Sequence, residues 1–218
     1  MNRDTVRNRI EQTGIIPAVR VSSTDDALFA AEMVLNSGIS IVEITMTVPA
    51  AANVIQQLAR KYPDLIAGGG TVVDIDTARR CLDAGARFLT SPGLALEIVE
   101  FALKNDTVVF PGALTPSEIM MASKAGSDFV KVFPCSVLGG VTYIRALKSP
   151  FPNVPLIAAG GVTQQNAADF IRAGAVAVGI GRELIPPEAV DRREADWIRE
   201  LAGRFMKMMK EARASNLS

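Results

Sequence analysis

Short apolar runs alternate with longer stretches of helical period from one end of the chain to the other. The runs are IIPAVRV (15–21), ISIVEITMT (39–47), DLIAGGGTV (64–72), RFLTSPG (87–93), TVVFPGAL (107–114), DFVKVFP (128–134), VPLIAAGG (154–161) and AVAVGIG (175–181). Each is short, rich in β-branched or glycine residues, and bounded by turn formers, as strands are. Strands separated by helices predict parallel βα units and the α/β class. Eight such units in 218 residues predict a small (β/α)8 TIM barrel, as a single domain spanning residues 1–218. An extra helix is expected over 2–13. A last helical segment, about 188–214, is expected to bury a seam of Trp197, Leu201, Phe205 and Met208.

The helix boundaries agree with this plan. Thr24-Asp25-Asp26 and Asp74-Ile75-Asp76 read as N-terminal caps, and Thr115-Pro116-Ser117-Glu118 as a capping box with proline in the first turn. These acidic residues therefore have a structural role and are not assigned to a metal. Gly38, Gly85, Gly126 and Gly174 recur where a helix would end in a left-handed cap, two βα units apart.

Alternation then sorts the side chains. A barrel strand needs an apolar outer face against its helix and sends every second residue inward. In the sixth strand Val130 and Val132 take the outer face, so Phe129, Lys131 and Phe133 point in. In the second, Val42, Ile44 and Met46 face out, so Glu43, Thr45 and Thr47 point in. In the first, Ile16 and Ala18 share a face with Arg20. A lysine, a glutamate and an arginine thus converge from three strands at the end where such barrels carry their chemistry. Taken singly, each could be structural, and a buried Lys–Glu pair could serve only the fold. Taken together, an amine withdrawn from water can attack a ketone and form a Schiff base. A carboxylate beside it can move the protons, and a guanidinium offers a planar fork for a carboxylate. Gly160-Gly161 end the seventh strand and Gly181-Arg182 follow the eighth, where backbone N–H groups commonly hold a phosphate.

Composition narrows the classes. There is no histidine, which removes a Ser-His-Asp triad, a Cys-His pair and any His-ligated zinc. Lys+Arg and Asp+Glu both number 23, so nothing speaks for nucleic acid or an anionic membrane as partner. The opening MNRDTVRNRIEQTG lacks the apolar core of a secretory signal, and no apolar run has the length of a membrane span. Cys81 and Cys135 form no CxxC and are expected to be reduced thiols of a cytoplasmic protein.

The motifs VEITMTVP, GGGTV, SPGL, FPGALTPSE, FVKVFP, AAGGV and VGIGREL, in this order, resemble the 2-keto-3-deoxy-6-phosphogluconate aldolases. That family also includes 4-hydroxy-2-oxoglutarate and 2-keto-3-deoxy-6-phosphogalactonate aldolases. The resemblance runs from about Ile15 past the last strand. It implies a class I aldolase that needs no metal or other cofactor, commonly a homotrimer, acting on a small 2-keto acid. It implies Lys131 as the Schiff-base lysine and Glu43 as the general acid/base, with Thr71 near the pyruvyl carboxylate and Pro92 and Phe133 lining the pocket. One branch has an arginine where this chain has Thr47. The AVR of residues 18–20 resembles another branch, so the carboxylate falls to Arg20. Ala159 stands where many members have threonine, and Arg182 where many have serine. Arg182 is thereby a candidate for a phosphate, for a second carboxylate, or for solvent. Two other readings compete. A phosphosugar isomerase or epimerase would share the glycine loops without needing the lysine, and a non-catalytic barrel would need neither Lys131 nor Glu43.

Overall fold

The computed structural model describes residues 1–214. The last four residues of the expected 1–218 span lie outside the described residues. A helix α1 (Arg3–Thr13) precedes the first strand, β1 (Ile15–Val19). Then follow α2 (Thr24–Asn36), β2 (Ile41–Thr45), α3 (Ala51–Lys61), β3 (Ile66–Gly70), α4 (Ile75–Asp83), β4 (Phe88–Thr90) and α5 (Leu96–Lys104). The next strand comes in two pieces, β5 (Val108–Phe110) and β6 (Gly112–Ala113), before α6 (Pro116–Lys124) and β7 (Val130–Val132). A 3-10 turn at Cys135–Leu138 leads into α7 (Val141–Lys148), β8 (Leu156–Ala159), α8 (Ala167–Arg172), β9 (Ala177–Ile180), α9 (Pro187–Asp191) and α10 (Ala195–Ala214).

All pairings are parallel, in the order β5-β4-β3-β2-β1-β9-β8-β7-β6. The two ends of this series are the two halves of one extended stretch, so the sheet closes into the (β/α)8 barrel. Pro111 causes the break, because it has no N–H for the ladder. Its carbonyl still serves: Lys131 N–H donates to Pro111 O at 2.9 Å, and Asp128 N–H donates to Val109 O at 3.0 Å across the seam.

The expected alternation holds. Val42, Ile44, Val130 and Val132 lie in the large outer core between sheet and helices. Ile16, Ile41, Ile66, Phe88, Phe110 and Phe129 fill the barrel interior. Phe110 stacks on Phe88 at 5.1 Å and meets Phe129 edge-on at 6.0 Å. Val6 and Ile10 of α1 join this inner cluster, so the extra helix closes one end of the barrel. It is tied there by Arg3, whose Nε donates to Asp128 Oδ1 at 2.9 Å, while Asp128 Oδ2 accepts Val109 N–H at 2.9 Å.

Helix caps follow the sequence closely. Asp74 accepts Thr77 N–H at 2.6 Å, and Thr115 and Glu118 form the reciprocal capping box. Gly38, Gly85, Gly126 and Gly174 all have positive φ, between 85° and 103°. Two expectations need correction. The cap of α2 is Ser23, one residue before the expected Thr24, because the Ser23 hydroxyl oxygen reaches Asp26 N–H at 3.1 Å; Asp25 and Asp26 then sit in the first turn. In the last segment, α10 buries Ile198, Leu201, Ala202, Phe205 and Met209, while Trp197 is 38% exposed and Met208 only partly covered. The stripe is rotated by one residue at each end, since Ile198 and Met209 continue the helical spacing through Leu201 and Phe205 toward the core.

Candidate active site

A cavity of about 230 Å3 opens at the C-terminal ends of the strands. Lys131, Glu43, Arg20, Phe133, Gly160, Gly181 and Arg182 line it, with Ile16, Ala18, Phe110, Ile157, Ala159, Gly179 and Ile185. Lys131 comes from the middle of β7, in register with Gly112 on one side and Ile157 on the other. Its ammonium stands 5.1 Å from the centroid of the Phe133 ring, which alternation sends to the same face. Glu43 comes from the middle of β2, in register with Ala18 and Gly68. The two side chains belong to opposite halves of the closed sheet and meet only because the barrel closes. Lys131 is 9% exposed and Glu43 5%. Among the described residues, neither takes an ion-pair partner within 4.0 Å, so they do not pair with each other.

Two features hold Glu43 in place. A Cβ on Gly70 would stand 2.5 Å from Glu43 Cγ and closer still to its Oε1, so the glutamate lies flat across a bare backbone. Farther up the strand, the Thr45 hydroxyl donates to Val19 O at 3.0 Å and lies 2.8 Å from the Thr47 hydroxyl. These bonds pin the end of β2 against β1. On the other wall, Gly160 and Gly161 have φ of 80° and 88°. The Gly160 carbonyl accepts both Ser136 N–H and the Cys135 thiol, each at 3.1 Å. Burial pushes the Cys135 thiol up to about 11, so it remains a donor near neutral pH.

Arg20 and Arg182 occupy the rim. Both side chains are exposed, and both also line an adjoining cleft with Ser22, Thr47 and Asp191. They follow paired strands: β1 and β9 match Ile16 with Gly179 and Pro17 with Ile180, so the two guanidiniums rise from neighbouring strand ends. Among the described residues neither has an ion-pair partner.

Three expected residues do not line this cavity. Thr71 follows β3 in a left-handed conformation, φ 59°, and lines a separate cleft with Thr47 and Arg80. Pro92 is not among the lining residues; its carbonyl fills the space that a Cβ on Gly112, the register partner of Lys131, would need. Gly161 turns toward Ser136, while its neighbour Gly160 faces the cavity. Other wall residues had gone unassigned. Phe110 and Ile157 could have been found from strand alternation; Ile185 lies beyond the last strand, where no period marks it.

The family model for KDPG and KHG aldolase matches residues 6–201. A 2-dehydro-3-deoxy-phosphogluconate aldolase of Pseudomonas aeruginosa is 33% identical over 183 residues, 84% of this chain and 82% of that protein. A KHG/KDPG aldolase of Escherichia coli K12 is 30% identical over 202 residues, 92% of this chain and 95% of that protein. A crystal structure of KDPG aldolase from Legionella pneumophila, with pyruvate captured at low pH as a covalent carbinolamine intermediate, superposes with a TM-score of 0.85 at 29% identity. That match covers 91% of this chain and 96% of the other.

Proposed function

The chain belongs to the KDPG and KHG aldolase family, and on that premise we propose that it works as a class I aldolase through an imine on Lys131. The substrates proposed are 2-dehydro-3-deoxy-6-phosphogluconate and 4-hydroxy-2-oxoglutarate, each cleaved reversibly to pyruvate and an aldehyde. The names of the curated relatives speak for these two rather than for the galactonate epimer. The aldehyde would be glyceraldehyde 3-phosphate or glyoxylate respectively.

One observation carries this reading. Lys131 and Glu43 are nearly buried, facing one cavity from separate strands, yet neither takes an ion-pair partner among the described residues. A buried pair kept for structure would be in contact, since separating buried charges is costly. Two groups left unpaired in one cavity leave room for a reacting carbon between them.

The steps follow from that placement. The Lys131 amine adds to C2 of the keto acid, and the carbinolamine loses water to give an iminium. Glu43 supplies and takes the protons of that dehydration, then accepts the C4 hydroxyl proton. The C3–C4 bond breaks, its electron pair flows into the iminium, and the aldehyde leaves. The remaining enamine takes a proton at C3, and hydrolysis frees pyruvate and the lysine. Arg20 is assigned to the keto acid carboxylate, which it can meet in a planar fork. Phe133 and its aliphatic neighbours limit water around the imine. The Legionella relative, captured with pyruvate as a carbinolamine, supports the same covalent route here. A glycine-lined end at Gly160 and Gly181 supports binding of an anionic tail by backbone N–H groups. The reading includes a cytoplasmic homotrimer, supported by the family resemblance and by two buried free thiols.

The test is covalent trapping. Pyruvate and borohydride should add one reduced pyruvyl group at Lys131, located by peptide mass. A chain left unmodified, or modified at Lys124 or Lys148 with Lys131 free, would overturn the assignment.

A further inference from the structure

A hydroxyl has one proton to give and two lone pairs to accept with. That count orders the two threonines at the end of β2. Thr45 is the last residue of the strand and is fully buried. It spends its one proton on Val19 O, at 3.0 Å. The 2.8 Å contact between the Thr45 and Thr47 hydroxyls must then run the other way, with Thr47 as donor. The chain of bonds runs from Thr47 to Thr45 to Val19 O.

The place where it ends matters. β1 stops at Val19, and Arg20 is the first residue beyond. The paired register of β1 and β2 stops there too, with Val19 opposite Ile44. The Val19 carbonyl belongs to the peptide whose nitrogen is that of Arg20. The Thr45 hydroxyl therefore extends the link to β2 just where the ladder ends. Its own base is firm: Met46 N–H donates to Gly70 O at 2.7 Å, and Val48 N–H to Thr45 O at 3.0 Å. The Arg20 side chain has less to hold it. It is exposed and takes no ion-pair partner among the described residues. A long exposed side chain keeps its rotamer freedom, so its backbone sets where the head can reach.

We propose that Thr45 is a positioning residue for Arg20: its hydroxyl, oriented by Thr47, fixes the Val19–Arg20 peptide and so sets the reach of the guanidinium toward the keto acid carboxylate. The inference rests on the imine reading and on the carboxylate role given to Arg20 above. Thr45 and Glu43 share a face of β2. One strand thus fixes both the proton carrier and the carboxylate clamp.

The experiment is borohydride trapping at Lys131 over a range of pyruvate and of pyruvamide, the same ketone with a neutral end. The wild type should favour pyruvate by about 10-fold or more, the scale of hydrogen bonds to a charged group. Thr45→Val keeps the shape and loses the hydroxyl. It should cut trapping efficiency with pyruvate by about 3- to 10-fold, through a higher half-saturating concentration, and leave pyruvamide within about twofold. Thr45→Ser should recover most of the loss. Thr47→Val keeps the buried hydroxyl, which guards against a folding defect, and should give a smaller drop of the same kind. In an Arg20→Gln background, Thr45→Val should change pyruvate trapping by less than about twofold, since the group it positions is gone. Equal losses with both ketones, or a full loss in the Arg20→Gln background, overturn the proposal, because a disturbed strand harms any imine. A wild-type adduct formed with no preference for pyruvate overturns it as well, and leaves the imine standing. A wild type with no adduct at Lys131 defeats the imine reading itself, and this inference with it.

Discussion

Gly70→Ala tests whether catalysis depends on a bare backbone beneath Glu43. The new Cβ would stand 2.5 Å from Glu43 Cγ. Carbon atoms pack at about 3.5 Å or more, so the carboxylate must move by about 1 Å. Gly70 lies within β3, in register with Thr45 of β2, and the strand backbone on either side is paired, so the side chain must yield rather than the sheet. Overpacking of this kind costs about 1–3 kcal/mol of stability. A catalytic group misplaced by about 1 Å costs about 10²-fold in rate, or about 2.7 kcal/mol of barrier. Complete loss of the acid/base in Glu43→Gln, at about 10² to 10⁴-fold, sets the ceiling. The assay is steady-state cleavage of the phosphorylated sugar acid, coupled to pyruvate detection, with thermal melting alongside. Long incubation with pyruvate and borohydride should still label Lys131 in Gly70→Ala, which separates a displaced glutamate from an unfolded barrel. Turnover within about threefold of wild type in a protein that melts normally would refute the argument, because Glu43 would then have moved without consequence or not at all.

Two further outcomes concern the frame of the site. Burial pushes the Cys81 thiol up to about 12 and the Cys135 thiol up to about 11, both above the ordinary 9.0. The unfolded chain therefore loses these protons first, and the stability they contribute is whole below about pH 9 and lost as pH rises toward the folded values. The denaturation midpoint should fall more steeply above about pH 9 in the wild type than in a Cys81→Ala/Cys135→Ala variant; equal slopes would contradict the shifts. Asp128→Ala leaves the buried Val109 N–H without its acceptor and releases Arg3 of α1. The loss should be about 2 kcal/mol, mostly from the stranded N–H, or about 4–8 °C in Tm. An unchanged melting temperature would show that water or a neighbour takes over.

Much of the site was legible because barrel strands obey a two-residue period. Once the valines beside Lys131 and the Val42 and Ile44 beside Glu43 were placed against helices, the charged residues had only one direction left. The motifs then joined residues that are far apart in the chain, and the fold family followed from the same period. Capping chemistry is local too, so Asp74 and the Thr115–Glu118 box could be read directly, and Ser23 was missed by a single residue.

What stayed hidden depends on distances between strands that the chain order does not contain. That Lys131 and Glu43 stand apart without an ion pair among the described residues is a fact of barrel diameter and strand stagger. That Gly70 lies beneath Glu43 comes from the pairing of β2 with β3, where glycines one after another look alike in sequence. Thr71 and Pro92 were assigned by motif, yet a left-handed turn carries one to a neighbouring cleft, and the other packs its carbonyl against Gly112 without lining the cavity. Arg182 was open between three roles; only the pairing of β1 with β9 puts it beside Arg20 on the cavity rim, at a cleft that Asp26 and Asp191 also line. Periodicity determines which way a side chain points, and the closed sheet alone determines what it meets there.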